Sequence, residues 1–238
     1  MSRRPQGSGE NWLWGVHAVS AALANPSRRM KRLIGTRNGL SRLGDQGGRG
    51  EVVEPGAIEA LLPRDAVHQG LAAHFEPLEP VHLDELIGAG LQRVAVLDQV
   101  SDPHNLGAIF RSAAAFGFGA LILQTRNAPA MTGIVAKSAV GAIETVQECR
   151  VVNVSRTLEA LNDAGYHTVG LAGAGTATIE AAVSGADKLA IVLGAEGPGL
   201  RPGVAKACAE LARIPISSEM ESLNVSNAAA IAFYAAAR

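Results

Sequence analysis

The chain has 238 residues, of which 47% are apolar and only 4% aromatic, with a formal net charge of -1. This is the composition of a globular protein whose interior packs small aliphatic groups, and it excludes a chain disordered throughout. Cys149 and Cys208 are the only cysteines and form no C-x-x-C pair, so neither a disulfide framework nor a metal site is expected. No apolar run approaches the ~20 residues that span a bilayer.

The small net charge hides an asymmetry. Residues 1–75 carry 10 Lys and Arg against 6 Asp and Glu, whereas the remainder carries 11 against 16. A locally basic N-terminal part is compatible with a polyanionic partner. MSRRPQGSGEN lacks the apolar core of a secretion signal, and residues 1–10 are expected to form a flexible tail. WLWGVHAVSAALA then reads as a short entry and a helix stopped by Asn25-Pro26. KRLIGTR reads as a strand and GDQGGRGEVVEPG as loop, strand and turn. AIEALLP reads as a short helix ended by Pro63, and HQGLAAHFEPLEP as a strand running into a proline-spaced connection. Residues 11–75 are therefore expected to form a small α/β domain, joined by a linker over residues 76–90 to a second domain over residues 91–238.

In that second part RVAVLD, GALILQ, YHTVGLAG, KLAIVLG and LARIPI have the length and character of buried strands. LGAIFRSAAAFG, SRTLEALNDAG and RPGVAKACAE are helical between them. Such alternation predicts a mainly parallel sheet with helices on both faces. Ligands bind such sheets at the carboxyl ends of the strands, where helix N-termini and free backbone N–H groups gather.

Three loops follow strands. In LDQVSDPHNLGAIFRSAAAFG the chain turns at Asp102-Pro103, and Asn105 is expected to cap the helix that follows. Arg111 projects away from the apolar stripe of that helix. IVLGAEGPGLRPG sets Glu196 among Gly194, Gly197 and Gly199, with a helix starting near Pro202. Its G-x-x-G-x-G spacing is neither the dinucleotide fingerprint nor a Walker loop. In IPISSEMESLNVSNAAAIAFYAAAR a strand is expected to end at Ile216. A polar loop then carries Met220, Ser222, Leu223 and Asn224 before an Ala-rich helix. A rival reading as a nicotinamide-dependent dehydrogenase draws on VGLAGAGTATIE, where Gly170, Gly173 and Gly175 follow a strand. The last glycine of that fingerprint and its acidic partner are missing.

Taken together, D-P-x-N-x-G-x-x-x-R, then L-G-x-E-G-x-G, then I-P-I and S-L-N-V-S resemble the three ordered motifs of the SpoU family of RNA ribose 2′-O-methyltransferases. A looser likeness, through G-x-H-A-V-x-x-A-L (Gly15 to Leu23) and HQG (His68 to Gly70), is to the subgroup acting on a guanosine of large-subunit ribosomal RNA. Periodicity alone predicts an ordinary open sheet, because threaded connections are very rare. The resemblance implies instead a C-terminal trefoil-knotted parallel-sheet (SPOUT) domain beside a small N-terminal α/β RNA-binding domain. It also implies S-adenosyl-L-methionine bound in the knot, pairing of two subunits across it, and a cytoplasmic enzyme without metal or membrane. By the same resemblance Leu193, Gly194, Ala195, Glu196, Gly197, Gly199, Ile214, Ile216, Met220, Ser222, Leu223 and Val225 hold the cofactor. Asn105, Arg111, Glu196, Ser222 and Asn224 match the catalytic positions.

Arg111 matches the residue proposed to activate the target hydroxyl. A guanidinium stays protonated, so its expected role is to anchor an RNA phosphate and stabilise the developing alkoxide. Arg28, Arg29, Lys31, Arg32, Arg37 and Lys137, with Arg111, are the candidate RNA contacts. The expected substrate is 23S ribosomal RNA. Transfer RNA, or RNA binding without catalysis, is the alternative.

Overall fold

The computed structural model describes residues 11–238; the tail expected over residues 1–10 lies outside them. The chain opens with β1 (Trp12–Trp14), α1 (Val16–Ala24), β2 (Met30–Gly35), α2 (Arg37–Ser41), β3 (Glu51–Val52), α3 (Pro55–Glu59) and β4 (Leu71–Phe75). It continues with α4 (Leu83–Gly88), β5 (Arg93–Leu97), α5 (Pro103–Ala115), β6 (Ala120–Gln124), α6 (Gly133–Ala139), β7 (Gln147–Val151) and α7 (Val154–Asp163). The last elements are β8 (His167–Leu171), β9 (Ala177–Thr178), α8 (Ile179–Val183), β10 (Leu189–Leu193), α9 (Pro202–Ala207), β11 (Glu210–Arg213) and α10 (Val225–Ala236). Two compact units result. Among the described residues, one comprises residues 11–78 together with Ala130–Glu144; the other is Glu79–Pro129 with Thr145–Arg238.

The first unit is a four-stranded sheet ordered β1-β4-β2-β3. β4 runs antiparallel to both neighbours, and β3 pairs in parallel with β2. Trp14, Ile34, Ile58, Leu62 and Ala72 form its core, with Ile134 of α6 packed against them. α6 belongs here because Gly133 lets the helix start against Trp14: a Cβ at this position would overlap the Trp14 ring and the Trp12 carbonyl oxygen. Arg28 and Glu144 form a buried ion pair at 3.0 Å, with side chains 7% and 4% exposed. Arg28 also donates to the Glu76 carbonyl at 3.0 Å. Gln69, with φ 56° beside Gly70 at φ 77°, turns its Oε1 to accept from the Val16 N–H at 3.1 Å and from Lys137 Nζ at 3.4 Å. The HQG element thus fastens the start of α1 to α6.

The second unit is a seven-stranded sheet ordered β7-β6-β5-β10-β8-β11-β9, parallel at every pairing. β6 and β10 are buried along their whole length and β5 over all but its first residue. They read as unbroken apolar runs because helices cover both faces. On one face Val94, Val96 and Ile122 meet Leu86 of α4, Leu158 and Leu161 of α7, and Val204 of α9. Elsewhere α5 packs against α10, and Phe118 lies over Phe233 with ring centroids 4.1 Å apart.

Two expectations need correction here. The linker expected over residues 76–90 contains α4, whose Leu86 is 1% exposed and part of the second unit's core; Glu85 accepts from the His82 N–H at its start. The strand expected to reach Ile216 ends at Arg213, because Pro215 has no N–H with which to continue the ladder. β7 went unread in the sequence: QECRV is only partly buried, and Glu148 and Arg150 pair with one another at 2.5 Å along it.

Candidate active site

Three loops meet at the carboxyl edge of the second sheet. The first leaves β5 through Asp98, which is fully buried and accepts from the Arg201 backbone N–H at 3.0 Å and Nε at 2.8 Å. The cap of α5 is Asp102, not Asn105: its carboxylate accepts from the His104 N–H at 2.8 Å, and Pro103 takes the first helical position. Proline suits that position because its missing N–H would have no partner there. Asn105 is therefore the third residue of the helix, nearly buried at 9% exposure, and its side chain is available for the neighbouring loops.

The second loop folds back on itself after β10, with the Gly199 N–H donating to the Ala195 carbonyl at 3.0 Å. Gly194 has no room for a Cβ beneath Gly199, and Gly197 and Gly199 have φ of 80° and 68°, a region that favours glycine. These glycines shape the turn that presents Glu196. The third loop ends at Asn224, the N-cap of α10, whose Oδ1 accepts from the Ser226 N–H at 2.9 Å and Oγ at 2.5 Å.

Glu196 Oε1 gathers these loops. It accepts from Asn105 Nδ2 at 3.3 Å, from the Val225 N–H at 3.3 Å, and from Asn224 Nδ2. Asn224 Nδ2 also lies 3.1 Å from Asn105 Oδ1. Asn224 is thus used at both ends, one capping α10 and the other closing the cluster. Hydrogen bonds to a charged acceptor are among the stronger ones.

Beside the cluster lies a cleft of about 390 Å³, within the range of small-molecule sites. Its walls are Leu193 to Leu200, the segment containing Ile214, Ile216, Ser222, Leu223 and Val225, and the Leu171–Ala174 turn after β8. Eleven of the twelve expected cofactor residues line it; Met220 does not, and is 60% exposed. Arg111 is exposed on α5, its side chain makes no hydrogen bond or ion pair among the described residues, and it lies outside the cleft lining. The residues present fit a nucleoside-bearing cofactor, since apolar Leu193, Ile214, Leu223 and Val225 stand beside glycine-rich backbone that offers main-chain N–H and C=O groups. The sequence reading missed the Leu171–Ala174 wall and the Asp98–Arg201 pair. The signal for the former is the glycine turn in VGLAGAGTATIE, on which the rival dehydrogenase reading draws.

Among the candidate RNA contacts, Arg28 needs correction. Its guanidinium is enclosed by Glu144 and the Glu76 carbonyl and is not presented to solvent. Arg29 and Lys31 approach Glu76 at 3.9 and 2.6 Å, and Arg32 pairs with Glu51 at 2.7 Å, all on exposed surface. Arg37 is exposed at the start of α2. Lys137 is partly buried, which pulls its pKa below the ordinary lysine value. Among the described residues no cluster of three His, Cys, Asp or Glu side chains could hold a metal, and no helix is long and apolar enough to cross a membrane.

Residues 92–234 match the model of the SpoU rRNA methylase family, and residues 12–81 match that of an RNA 2′-O ribose methyltransferase substrate-binding domain. The 23S rRNA (guanosine-2′-O-)-methyltransferase RlmB of Vibrio cholerae is 37% identical, over 95% of this chain and 96% of that protein. The protein of the same name from Photobacterium profundum is 35% identical over the same shares of each chain. The SpoU methyltransferase AviRb of Streptomyces viridochromogenes, solved with the cofactor AdoMet, shares the fold at a TM-score of 0.79 and 23% identity, over 97% of this chain and 90% of that one. By motif order, by the extent of the family match and by full-length likeness to these relatives, the chain belongs to the SpoU rRNA methylase family.

Proposed function

We propose that the chain methylates the ribose 2′-hydroxyl of a guanosine in 23S ribosomal RNA, with S-adenosyl-L-methionine as methyl donor. The observation that carries this reading is the Asn105–Glu196–Asn224 cluster, which ties three loops together at the edge of a cleft of cofactor size. The substrate is suggested by the RlmB proteins, which resemble this chain over nearly their whole length. The cofactor is suggested by the AdoMet-bound relative of the same fold.

When bound, the cofactor supplies an electrophilic methyl group on a sulfonium. Leu193, Ile214, Leu223 and Val225, with the main-chain groups of the Gly194–Gly199 turn, would hold it in the cleft. The remaining work of the chain is alignment of a 2′-oxygen for in-line attack, where orientation supplies much of the rate. Glu196 fixes the Asn105 and Asn224 amides, and these, with Ser222 at the cleft wall, orient the target ribose. Arg111 anchors an RNA phosphate and stabilises negative charge on the 2′-oxygen as its proton is lost to solvent.

In the first unit Arg29, Lys31, Arg32 and Arg37 take the RNA backbone. Exposed ion pairs are weak, so Glu76 and Glu51 yield readily to phosphate. The match to the substrate-binding model supports this assignment. Ile231 and Tyr234 of α10, 38% and 45% exposed, suit a face that pairs two subunits. The family likeness supports a threaded C-terminal segment.

The test is transfer of labelled methyl from S-adenosyl-L-methionine to unmodified 23S ribosomal RNA, with the product mapped to a nucleotide. A 2′-O-methylguanosine at one position is expected. Label in transfer RNA alone, or on a base, overturns the assignment.

A further inference from the structure

A second cavity opens at the carboxyl edge of the same sheet, and nothing in the mechanism above uses it. It measures about 300 Å³ and is lined by Gln124 at the end of β6, by Val152, Asn153 and Ser155 around the start of α7, and by Arg201 and Val204 around the start of α9. Gln124 sets it apart. The residue is 8% exposed, and its side-chain amide makes no hydrogen bond among the described residues, Oε1 being buried without a partner. A primary amide carries two donors and an acceptor, and buried polar groups are nearly always paired. A side chain needed only to fill this space would be leucine or methionine.

Further unsatisfied donors line the same cavity. Asp98 holds Arg201 by Nε and Nη2, which fixes the guanidinium and leaves Nη1 unpaired among the described residues. The Val154 and Ser155 N–H groups at the start of the ten-residue α7 likewise have no partner there. Val152, one of its lining residues, is 82% exposed. An anion would suit Arg201 and α7, but Asp98 already neutralises that arginine, and an anion without a donor leaves the Gln124 carbonyl unmet. A nucleobase answers the whole set. The lactam edge of guanine places N1–H beside O6 and pairs reciprocally with a primary amide, while O6 and N7 accept from a guanidinium. RNA sequence is read largely through unstacked bases presented in this way.

We propose that this cavity binds an unpaired guanine of the RNA substrate, read on its lactam edge by Gln124 and Arg201. The proposal rests on the methyltransferase reading and adds to it residues able to recognise a base.

Two variants of the full chain test it, Gln124→Leu and Gln124→Glu. In NMR spectra the Gln124 side-chain amide, identified by its absence from Q124L, is followed as guanosine 5′-monophosphate, adenosine 5′-monophosphate or inorganic phosphate is added. It is expected to shift with the guanine nucleotide at concentrations about tenfold lower than with the adenine nucleotide, the discrimination of a bidentate base contact, and not to shift with phosphate. Q124L is expected to melt no lower than the wild type, because the amide it removes has no partner. In methyl transfer, both variants should raise KM for RNA about tenfold and leave the Kd for S-adenosyl-L-methionine unchanged. Replacing guanines of the RNA one at a time by adenine should reveal one position whose penalty disappears in Q124L. An amide that ignores the guanine nucleotide, responds equally to the adenine nucleotide, or moves with phosphate alone overturns the guanine site, as does an unchanged KM in folded Q124L. Guanine binding at this amide without methyl transfer by the wild type to any RNA would remove the methyltransferase reading and leave the guanine site standing.

Discussion

Asn105 and Glu196 lie 91 positions apart in the chain and meet at 3.3 Å, the Asn105 amide donating to Glu196 Oε1. The same oxygen serves the Asn224 amide and the Val225 N–H, so one carboxylate ties the start of α5 to the start of α10. Glu196→Ala removes that acceptor and should cost about 1–3 kcal/mol of stability, read as a lowered melting temperature. Glu196→Gln keeps an oxygen and should cost less. Both should slow methyl transfer on the order of 10²-fold, the effect of misaligned reacting groups. Unimpaired transfer by E196Q would remove Glu196 from the alignment.

Arg111 presents the opposite case, exposed and with no side-chain partner among the described residues. Arg111→Ala should change stability by no more than about 0.5 kcal/mol, as is usual for surface substitutions. Methyl transfer should be lost while cofactor affinity stays within a few fold. Calorimetric titration of S-adenosyl-L-methionine beside the transfer assay checks both halves, and near-normal turnover would exclude Arg111 from the mechanism.

Arg28 and Lys31 are close in sequence and should behave differently. Arg28→Ala leaves Glu144 buried without its partner, and breaking a buried pair costs about 3–5 kcal/mol. Lys31→Ala breaks only an exposed pair, so its melting temperature should hold while RNA affinity falls. Melting curves and RNA titrations of the two variants separate these outcomes; equal melting temperatures would contradict the burial of Arg28.

The motifs were legible because their chemistry is local. Asp102-Pro103, the glycines around Glu196 and the polar run before α10 each announce a loop after a strand, and those loops do converge. What was not legible depends on distant partners. One misreading is local: Asp102 before Pro103 carries the stronger cap signal, and Asn105 reads as the cap only when that pair is passed over. Arg28 looked like a phosphate contact because Glu144, which encloses it, lies 116 positions away. The Gly173 turn matches the dinucleotide fingerprint only in part, and its place in the cleft wall depends on loops distant in the chain. α6 gave no amphipathic signal long enough to read, and its neighbours Trp12 and Trp14 precede it by more than a hundred residues.

Both cysteines give a pH dependence. Burial pushes the Cys149 thiol up to about 11 and the Cys208 thiol up to about 12, with the charges of Glu148 and Asp98 adding to it. Unfolded, each titrates near ~8.5. Above that pH the unfolded chain loses protons that the folded chain keeps, so stability falls as pH rises from ~8.5 towards the folded values. Stability should therefore decline at alkaline pH, and less so in a Cys149→Ala, Cys208→Ala double variant. Iodoacetamide should leave Cys149 unlabelled in the native protein at pH 7.5 and label both thiols in denaturant; rapid native labelling of Cys149 would contradict its burial.

The placement of Ala130–Glu144 with the first unit changes what truncation should do. Removing residues 1–75 takes away Trp14, against which Gly133 packs, and Arg28, which neutralises Glu144. The fragment should then expose its 130–144 segment, and limited proteolysis should cut it there, where the full chain resists. Replacing that segment by a short glycine-rich connection between Pro129 and Thr145 should restore protease resistance to the truncated protein. Gly133→Ala in the full chain asks the same question with one methyl group, since its Cβ falls on the Trp14 ring; overpacking of this kind costs about 1–3 kcal/mol. A Gly133→Ala protein that melts with the wild type, or a truncated chain left intact between residues 130 and 144, would separate α6 from the first unit.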